Sequence, residues 1–343
     1  MTNEQWDKLL AVMNGEAINP LPLGFVIDSP WLPGWAGISM LDYFSSEQMW
    51  FESNLKVIRR FPDIIFLPGF WSEFGMYTEP SAFGAKSSWQ ENEMPFPQKV
   101  ITNIDQIASL SKPDPRKNGL LPFVLNRLKH YQSQIETEGH AIKFAVSRGP
   151  LNIASFLMGS TEFLMAIRTD PDEIHKLLDV VTDFIIDWLG LQIEEFPSID
   201  GVFILDDIVG FLGEEDFKQA ALPYLERIFK AFDVSVKFFH NDAPCIVSAP
   251  YLEQIGINLF NFSFQHPISQ MKELVNNSVT LLGNIPPRDV LAEGTADDVR
   301  KSVKSMLGSV SDKSRIILSC GGGMPFGVPT ENIEAFMKAA GYN

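Results

Sequence analysis

Eight short runs of β-branched, aliphatic and aromatic residues, set apart by helix-length stretches, constrain this chain more than any other feature. They are Leu23 to Ile27, Asp63 to Leu67, Ile142 to Val146, Val202 to Leu205, Val234 to Phe239, Leu259 to Phe264, Thr280 to Leu282 and Arg315 to Leu318. Nearly continuous apolar runs of roughly four to eight residues, bounded by turn formers, are the pattern of strands covered on both faces. The stretches between them predict helices, among them about Tyr43 to Arg60, Leu121 to Glu138, Leu151 to Met158, Thr161 to Thr169, Asp172 to Glu195 and Glu214 to Phe232. Glu331 to Ala340 closes the set after the eighth run. Eight strands alternating with helices is the count for an α/β chain folded as a (β/α)8 TIM barrel.

Two stretches stand outside the alternation. Thr2 to Asn14 reads as a helix, because Thr2 and Gln5 make a capping box and Gly15 stops it, giving an N-terminal helical extension over residues 1–20. After the second run, residues 70–120 are irregular, aromatic at first (Phe70, Trp71, Phe74, Tyr77) and later rich in Pro and Lys. A long loop insertion inside a compact domain is usually functional, so this one is expected over the barrel mouth. Residues 1–343 are expected to form a single domain.

Composition narrows the partners. A net charge of −16 and a pI near 4.7 argue against a nucleic-acid backbone. Every apolar run is cut by a charge or a Pro before reaching the ~18 residues of a membrane span. Met1 to Pro20 has no basic start followed by an apolar core, and two Cys fit a reducing compartment, so the expected location is cytoplasmic.

In a parallel barrel the C-terminal ends of the strands converge on one mouth. Here those ends offer Asp28, Pro68, Arg148, Asp206-Asp207, His240 to Asp242, Ser263-Gln265-His266, Asn284 and Cys320. The fifth is the richest, with an imidazole, an amide, a carboxylate and a thiol in His240-Asn241-Asp242-Ala243-Pro244-Cys245. His240, Asp242, Cys245 and Cys320 are metal-ligand types, and imidazole with thiolate is a zinc preference. A buried Cys serves equally well as a small hydrophobe. Asp206 and Asp207 lie where a general base or a cationic partner is useful. Alternatively, one caps the next helix while the other pairs with Arg148, which could itself hold a ligand carboxylate or phosphate. Trp31, Trp71 and Tyr77 suit a large, flat ligand, or else pack the long loop against the barrel. Gly321-Gly322-Gly323 lacks the spacing of a dinucleotide fingerprint.

Several stretches in sequence order resemble the uroporphyrinogen decarboxylase superfamily. They are Ser147-Arg148-Gly149-Pro150 with Leu157 to Glu162, Ile204 to Asp207, Phe239-His240, Leu282 to Pro287 with Gly294-Thr295, and Ser319 to Gly323 with Pro329 to Ile333. The resemblance runs from about Leu23 to Ala340. It implies one of two activities. True decarboxylases carry an Arg-Gln-Ala-Gly-Arg motif after strand one and a catalytic Asp after strand two. This chain reads Asp28-Ser29-Pro30-Trp31-Leu32 and Phe66-Leu67-Pro68-Gly69 there, so the cationic cradle for a polyanionic porphyrinogen is missing.

The other branch holds corrinoid-dependent methyltransferases, whose thiol-activating members bind zinc through a His-x-Cys after strand five and a Cys in the strand-eight glycine stretch. His240 matches the first ligand, Asp242 stands at the second, and the third falls at about Gly322, with the thiol of Cys320 two residues earlier. Two residues along a strand sink a side chain by ~6.6 Å. The resemblance therefore implies a methyltransferase moving a methyl group between a corrinoid protein, or free cobamide, and a small-molecule thiol or folate. In this expectation His240, Asp206 and Asp207 are catalytic, and Asp28, Arg148, Asn241, Trp31, Trp71 and Tyr77 bind substrate. His240, Asp242 and Cys320 hold zinc. The alternatives are a decarboxylase acting on a different carboxylated substrate, and a non-catalytic tetrapyrrole or corrinoid binder.

Overall fold

The computed structural model describes residues 1–27 and 30–342. Asp28, one of the expected substrate-binding residues, lies outside the described residues. The strands are β1 (Leu23–Val26), β2 (Ile64–Leu67), β3 (Phe144–Arg148), β4 (Gly201–Leu205), β5 (Val236–Asn241), β6 (Leu259–Phe262), β7 (Thr280–Ile285) and β8 (Ile316–Cys320). All paired neighbours are parallel, in the order β2-β1-β8-β7-β6-β5-β4-β3. With the helices outside, this is the (β/α)8 barrel that the alternation predicts.

Strands β3, β5, β7 and β8 run past their expected ends, to Arg148, Asn241, Ile285 and Cys320. The backbone goes on pairing with the neighbouring strand where the side chains turn polar, so the change to polar residues marks the approach to the mouth and not the end of the ladder. Two expected helices are each divided in two. Ser46 separates Met40–Ser45 from Glu47–Arg60, its hydroxyl accepting from Met49 N at 3.2 Å as an N-cap. Pro223, which cannot donate, opens Leu222–Lys230 after Glu214–Ala220.

The barrel interior is a closed apolar plug. Ile65, Phe144, Phe203, Phe238, Leu259 and Ile317 point inward and meet Trp6, Leu9 and Val12 of the helix Asn3–Met13. The Thr2–Gln5 capping box starts that helix, and Trp6 sets its ring edge-on to Phe144 at 5.4 Å. The helical extension therefore stoppers the N-terminal end, and Phe203 stacked on Phe238 at 4.1 Å fills the middle. Among the described residues this leaves the C-terminal end of the barrel for a ligand.

The insertion divides into two parts. Trp71 joins the inner cluster, and Glu73 and Glu79 reach Arg148 at the end of β3. Further on, Lys112 pairs with Asp187 and Arg116 with Glu194 at 2.6 Å, so this part runs along the outside of the helix Pro171–Glu195. The expectation that residues 70–120 lie over the mouth is corrected: the initial aromatic segment reaches it, and the Lys- and Pro-rich remainder clads the flank. Among the described residues no single helix is long and apolar enough to cross a membrane.

Candidate active site

The inward-facing positions of β5 are Val236 and Phe238, and the period of two puts His240 on the same face one step nearer the mouth. Directly across the ladder stands Asn261 of β6. Its amide nitrogen donates to the carbonyls of Leu282 (2.8 Å) and Cys320 (3.3 Å), which turns its oxygen toward His240. That Oδ1 lies 2.7 Å from His240 Nδ1, so Nδ1 carries the proton and donates. The ring is 95% buried, and its Nε2 lone pair points to the mouth, 3.8 Å from Asp207 Oδ1.

Asp207 and Asp242 complete the group. One ligand-type atom from each of Asp207, His240 and Asp242 lies within 4.8 Å of the others. The backbone N–H of Asp242 donates to Asp207 Oδ1 at 3.0 Å, tying the two strand exits together. Burial, then the neighbouring Asp242 charge, push the Asp207 carboxyl up to about 6 against the pull of His240. Its side chain nevertheless keeps 36% of its surface open, so a solute at the mouth can reach it.

The adjacent carboxylate does something else. Phe203 and Leu205 face inward on β4, so Asp206 faces the helices. It accepts from Leu151 N (2.8 Å) and Asn152 N (3.1 Å) at the start of the helix Pro150–Met158. Burial drives this carboxyl up to about 8 against those two N–H donors. A Cβ at Gly149 would meet its Oδ2 at 2.3 Å, so the approach requires glycine there. Asp206 is placed as a helix cap and away from the mouth, so the expectation that it acts as a catalytic base is corrected.

Arg148 faces the mouth but is occupied. Its guanidinium meets Glu73 at 2.8 Å and Glu79 at 3.3 Å, and its backbone N–H donates to Glu79 Oε1 at 3.0 Å, all three side chains being nearly fully buried. Among the described residues its ion pairs are with Glu73 and Glu79 and not with Asp207, and these two carboxylates correct the expectation that it holds a ligand anion. Sequence reasoning missed Glu73 and Glu79, although two acids in an otherwise aromatic segment were the available signal.

The other expected residues separate. Trp71 is inside the barrel, 5.9 Å from Phe203, which in turn sits edge-on to His240 at 6.4 Å. Trp31 is buried against Trp35 and Phe66 and donates to Val328 O at 3.0 Å, so it packs the flank. Tyr77 donates to Ala85 O at 2.9 Å and meets Trp89 at 6.1 Å, within the insertion's own aromatic cluster. Asn241 faces away from the barrel axis, fully buried, its Oδ1 accepting from Ala243 N at 2.9 Å to turn the loop after β5. Trp31, Tyr77 and Asn241 are thus built into the scaffold, not the mouth.

The expected zinc set fits in part. His240 and Asp242 are together, but Cys320 is on the helix-facing side with Ile316 and Leu318, donating to Gly322 O at 3.3 Å. Burial pushes its thiol up to about 12, and its placement on the helix side, not its pKa, takes it out of the set. Cys245 is equally buried and raised to about 12. At position 322, where the resemblance puts a thiol, a Cβ would lie 3.1 Å from Asp242 Cβ, but the residue is glycine. An imidazole with an unshared pair beside two carboxylates does fit a divalent cation.

An eight-stranded parallel barrel, stoppered at one end and carrying an imidazole and two carboxylates at the other, defines a barrel protein whose chemistry lies at the C-terminal mouth. The chain belongs to the uroporphyrinogen decarboxylase (URO-D) family, whose sequence model matches residues 4–341. It is 26% identical over 278 residues to a uroporphyrinogen decarboxylase from Actinobacillus succinogenes, covering 76% of this chain and 75% of that one. It is 22% identical over 270 residues to a methylated-thiol–coenzyme M methyltransferase from Methanosarcina mazei, covering 78% and 70%. The solved structure of a methyltransferase from Methanosarcina mazei shares the fold, with a TM-score of 0.81 at 19% identity over 97% of each chain. The family thus contains both decarboxylases and methyltransferases.

Proposed function

We propose that this chain is a methyltransferase that moves a methyl group between a corrinoid carrier and a small-molecule acceptor, a thiol or a folate. The observation that carries the reading is the electrostatic character of the mouth. His240 presents an unshared pair beside Asp207 and Asp242, while Arg148 is already met by Glu73 and Glu79. A substrate with many carboxylates finds repulsion there, whereas an acceptor that must lose a proton finds a base. The relationship to a coenzyme M methyltransferase, which covers 78% of this chain, supports the same branch.

In this reading the acceptor X–H enters over Trp71 and Phe203 and gives its proton to His240 Nε2 or to Asp207. The freed electron pair on X takes the methyl group, and the donor keeps the pair of the bond that breaks. Asn261 holds the imidazole in the tautomer that can accept a proton, and Asp207 and Asp242 stabilise the positive charge that develops on it. Were a divalent metal held by His240 Nε2 and Asp242, it would supply Lewis acidity to the acceptor atom, and Asp207 would be the group left to take the proton.

The test is the visible spectrum of methylcobalamin, incubated with the protein and a panel of thiols and folates. Acceptor-dependent demethylation supports the reading. Release of carbon dioxide from a carboxylated substrate, or tight cobalamin binding with no turnover, replaces it with a decarboxylase or a binder.

A further inference from the structure

We infer that the groove between the helices Glu47–Arg60 and Thr330–Ala339, on the flank of the barrel, is a second binding site. Its ligand is a small molecule that joins a flat aromatic ring to a carboxylate or a phosphate. None of the groove's residues takes part in the proposed methyl transfer.

Three observations carry it. The first is shape. The groove has a volume of about 700 Å³, inside the range of roughly 300–1,000 Å³ that small-molecule sites occupy. Two of its residues, Trp31 and Trp35, come from the segment between β1 and β2. The Trp31 indole donates to Val328 O at 3.0 Å, and the Trp35 indole to Thr330 Oγ1 at 3.1 Å. Both bonds cross to the segment after β8, so the two walls are tied to each other.

The second is an aromatic surface left open. Phe326, at the edge of the groove, is 67% exposed. Its ring rests on Gly34, where a Cβ would lie 3.0 Å from it, so the absence of a side chain at 34 lets the ring lie there. Trp31 and Trp35 extend the aromatic wall, their ring centroids 5.4 Å apart. A single exposed Phe on a convex surface needs no explanation, whereas one lining a concave, cationic groove does. Aromatic rings favour offset-stacked or edge-on partners, so this wall suits a flat ring.

The third is charge. The chain carries −16 overall, yet Lys56, Arg59 and Arg60 all line this groove. Spacings of three and four residues put Lys56 beside both arginines on one helix face. Glu138 meets Arg59 at 2.6 Å, and Glu334 meets Arg60. Among the described residues Lys56 meets no carboxylate; it donates to Ala36 O at 3.0 Å and lies over the Trp35 ring at 5.3 Å. Three cations against two carboxylates leave one positive charge in excess, and both arginine side chains remain open to solvent. The last turn of a helix favours cations, but that preference places no aromatic wall opposite them. Guanidinium groups match carboxylate and phosphate oxygens, so the charge complements an anionic group on the same molecule that fills the aromatic wall.

Isothermal titration calorimetry with adenosine 5′-monophosphate and with 1-naphthoate tests this, adenosine and inorganic phosphate serving as the separate halves. Expected is one aromatic anion per chain, held at least roughly tenfold more tightly than either half. The affinity should fall as salt is raised, because exposed charges are screened. Whichever probe binds more tightly tells phosphate from carboxylate. Lys56→Ala and Phe326→Ala change exposed side chains, and each is expected to weaken the binding roughly fivefold to tenfold. Circular dichroism establishes that both variants are folded. No binding of either aromatic anion at about 1 mM, inorganic phosphate held as tightly as adenosine 5′-monophosphate, or unchanged affinity in either folded variant would each overturn the inference.

Discussion

His240 Nδ1 and Asn261 Oδ1 face each other across the β5–β6 ladder at 2.7 Å, and this pair decides which imidazole nitrogen reaches the mouth. Because Asn261 is anchored by the carbonyls of Leu282 and Cys320, the choice is made by the barrel backbone and not by the ligand. Asn261→Ala is expected to lower the site's activity, or its metal affinity, by roughly 10–100-fold. It also leaves a buried N–H on His240 unsatisfied, at a cost of about 1–3 kcal/mol. Single-turnover rates and urea denaturation of the one variant read both effects.

Asp207 gives the site a pH dependence. Burial and the Asp242 charge raise its carboxyl to about 6, so at lower pH it is protonated and serves neither as base nor as ligand. Activity or metal binding is expected to rise with pH through a limb centred near 6. For stability the sign is opposite: the native state retains this proton more tightly than the unfolded chain, so Asp207 favours folding below its ordinary value of 3.8 and loses that contribution as pH rises through about 6. A pH–rate profile compared with Asp207→Asn isolates the limb, which the substitution should remove.

The buried cluster at the end of β3 predicts a stability effect of a different kind. Replacing Arg148 with Met removes the guanidinium that Glu73 and Glu79 share at the base of the insertion. Removing one partner of a buried ion pair typically costs about 3–5 kcal/mol. The triple change Arg148→Met, Glu73→Gln and Glu79→Gln is expected to recover a substantial part of that loss. Chemical denaturation of the single and triple variants measures the difference.

Asp206 separates a capping role from a catalytic one. Asp206→Asn keeps an acceptor oxygen for one of the two N–H groups of Leu151 and Asn152, and turnover is expected to stay within roughly threefold, far from the 10²–10⁴-fold loss of a general base. Asp206→Ala removes the cap and is expected to lower stability by about 1–2 kcal/mol. Turnover and thermal melts of the two variants are the check.

How far these roles were legible in sequence depends on facing. The eight strands could be read because a parallel barrel covers both faces of each strand, and the resulting apolar runs contrast with their polar exits. The same double burial hides which residues point inward. Val202 to Leu205 are all apolar, so nothing in β4 tells Asp206 from Asp207, yet one residue turns a side chain from helix to mouth. His240 was legible as the polar end of an apolar run, and Asp242, just past the end of β5, is brought beside it by the hydrogen bond from its N–H to Asp207. Cys320 was misjudged for a related reason. Stepping back along a strand from Gly322 assumes that the strand continues, but β8 ends at Cys320, and Gly322 sits in a turn at φ +120°. The occupancy of Arg148 was illegible because its partners come from an insertion with no repeating pattern.

The central claim is that the imidazole at the end of β5 is the reactive centre of the barrel. Single-turnover demethylation of methylcobalamin by wild type and by a folded His240→Ala variant, with the best acceptor of the thiol and folate panel, tests it most directly. The account predicts turnover in the wild type and a loss of roughly 10²–10⁴-fold in the variant. Equal rates in the two proteins would contradict it.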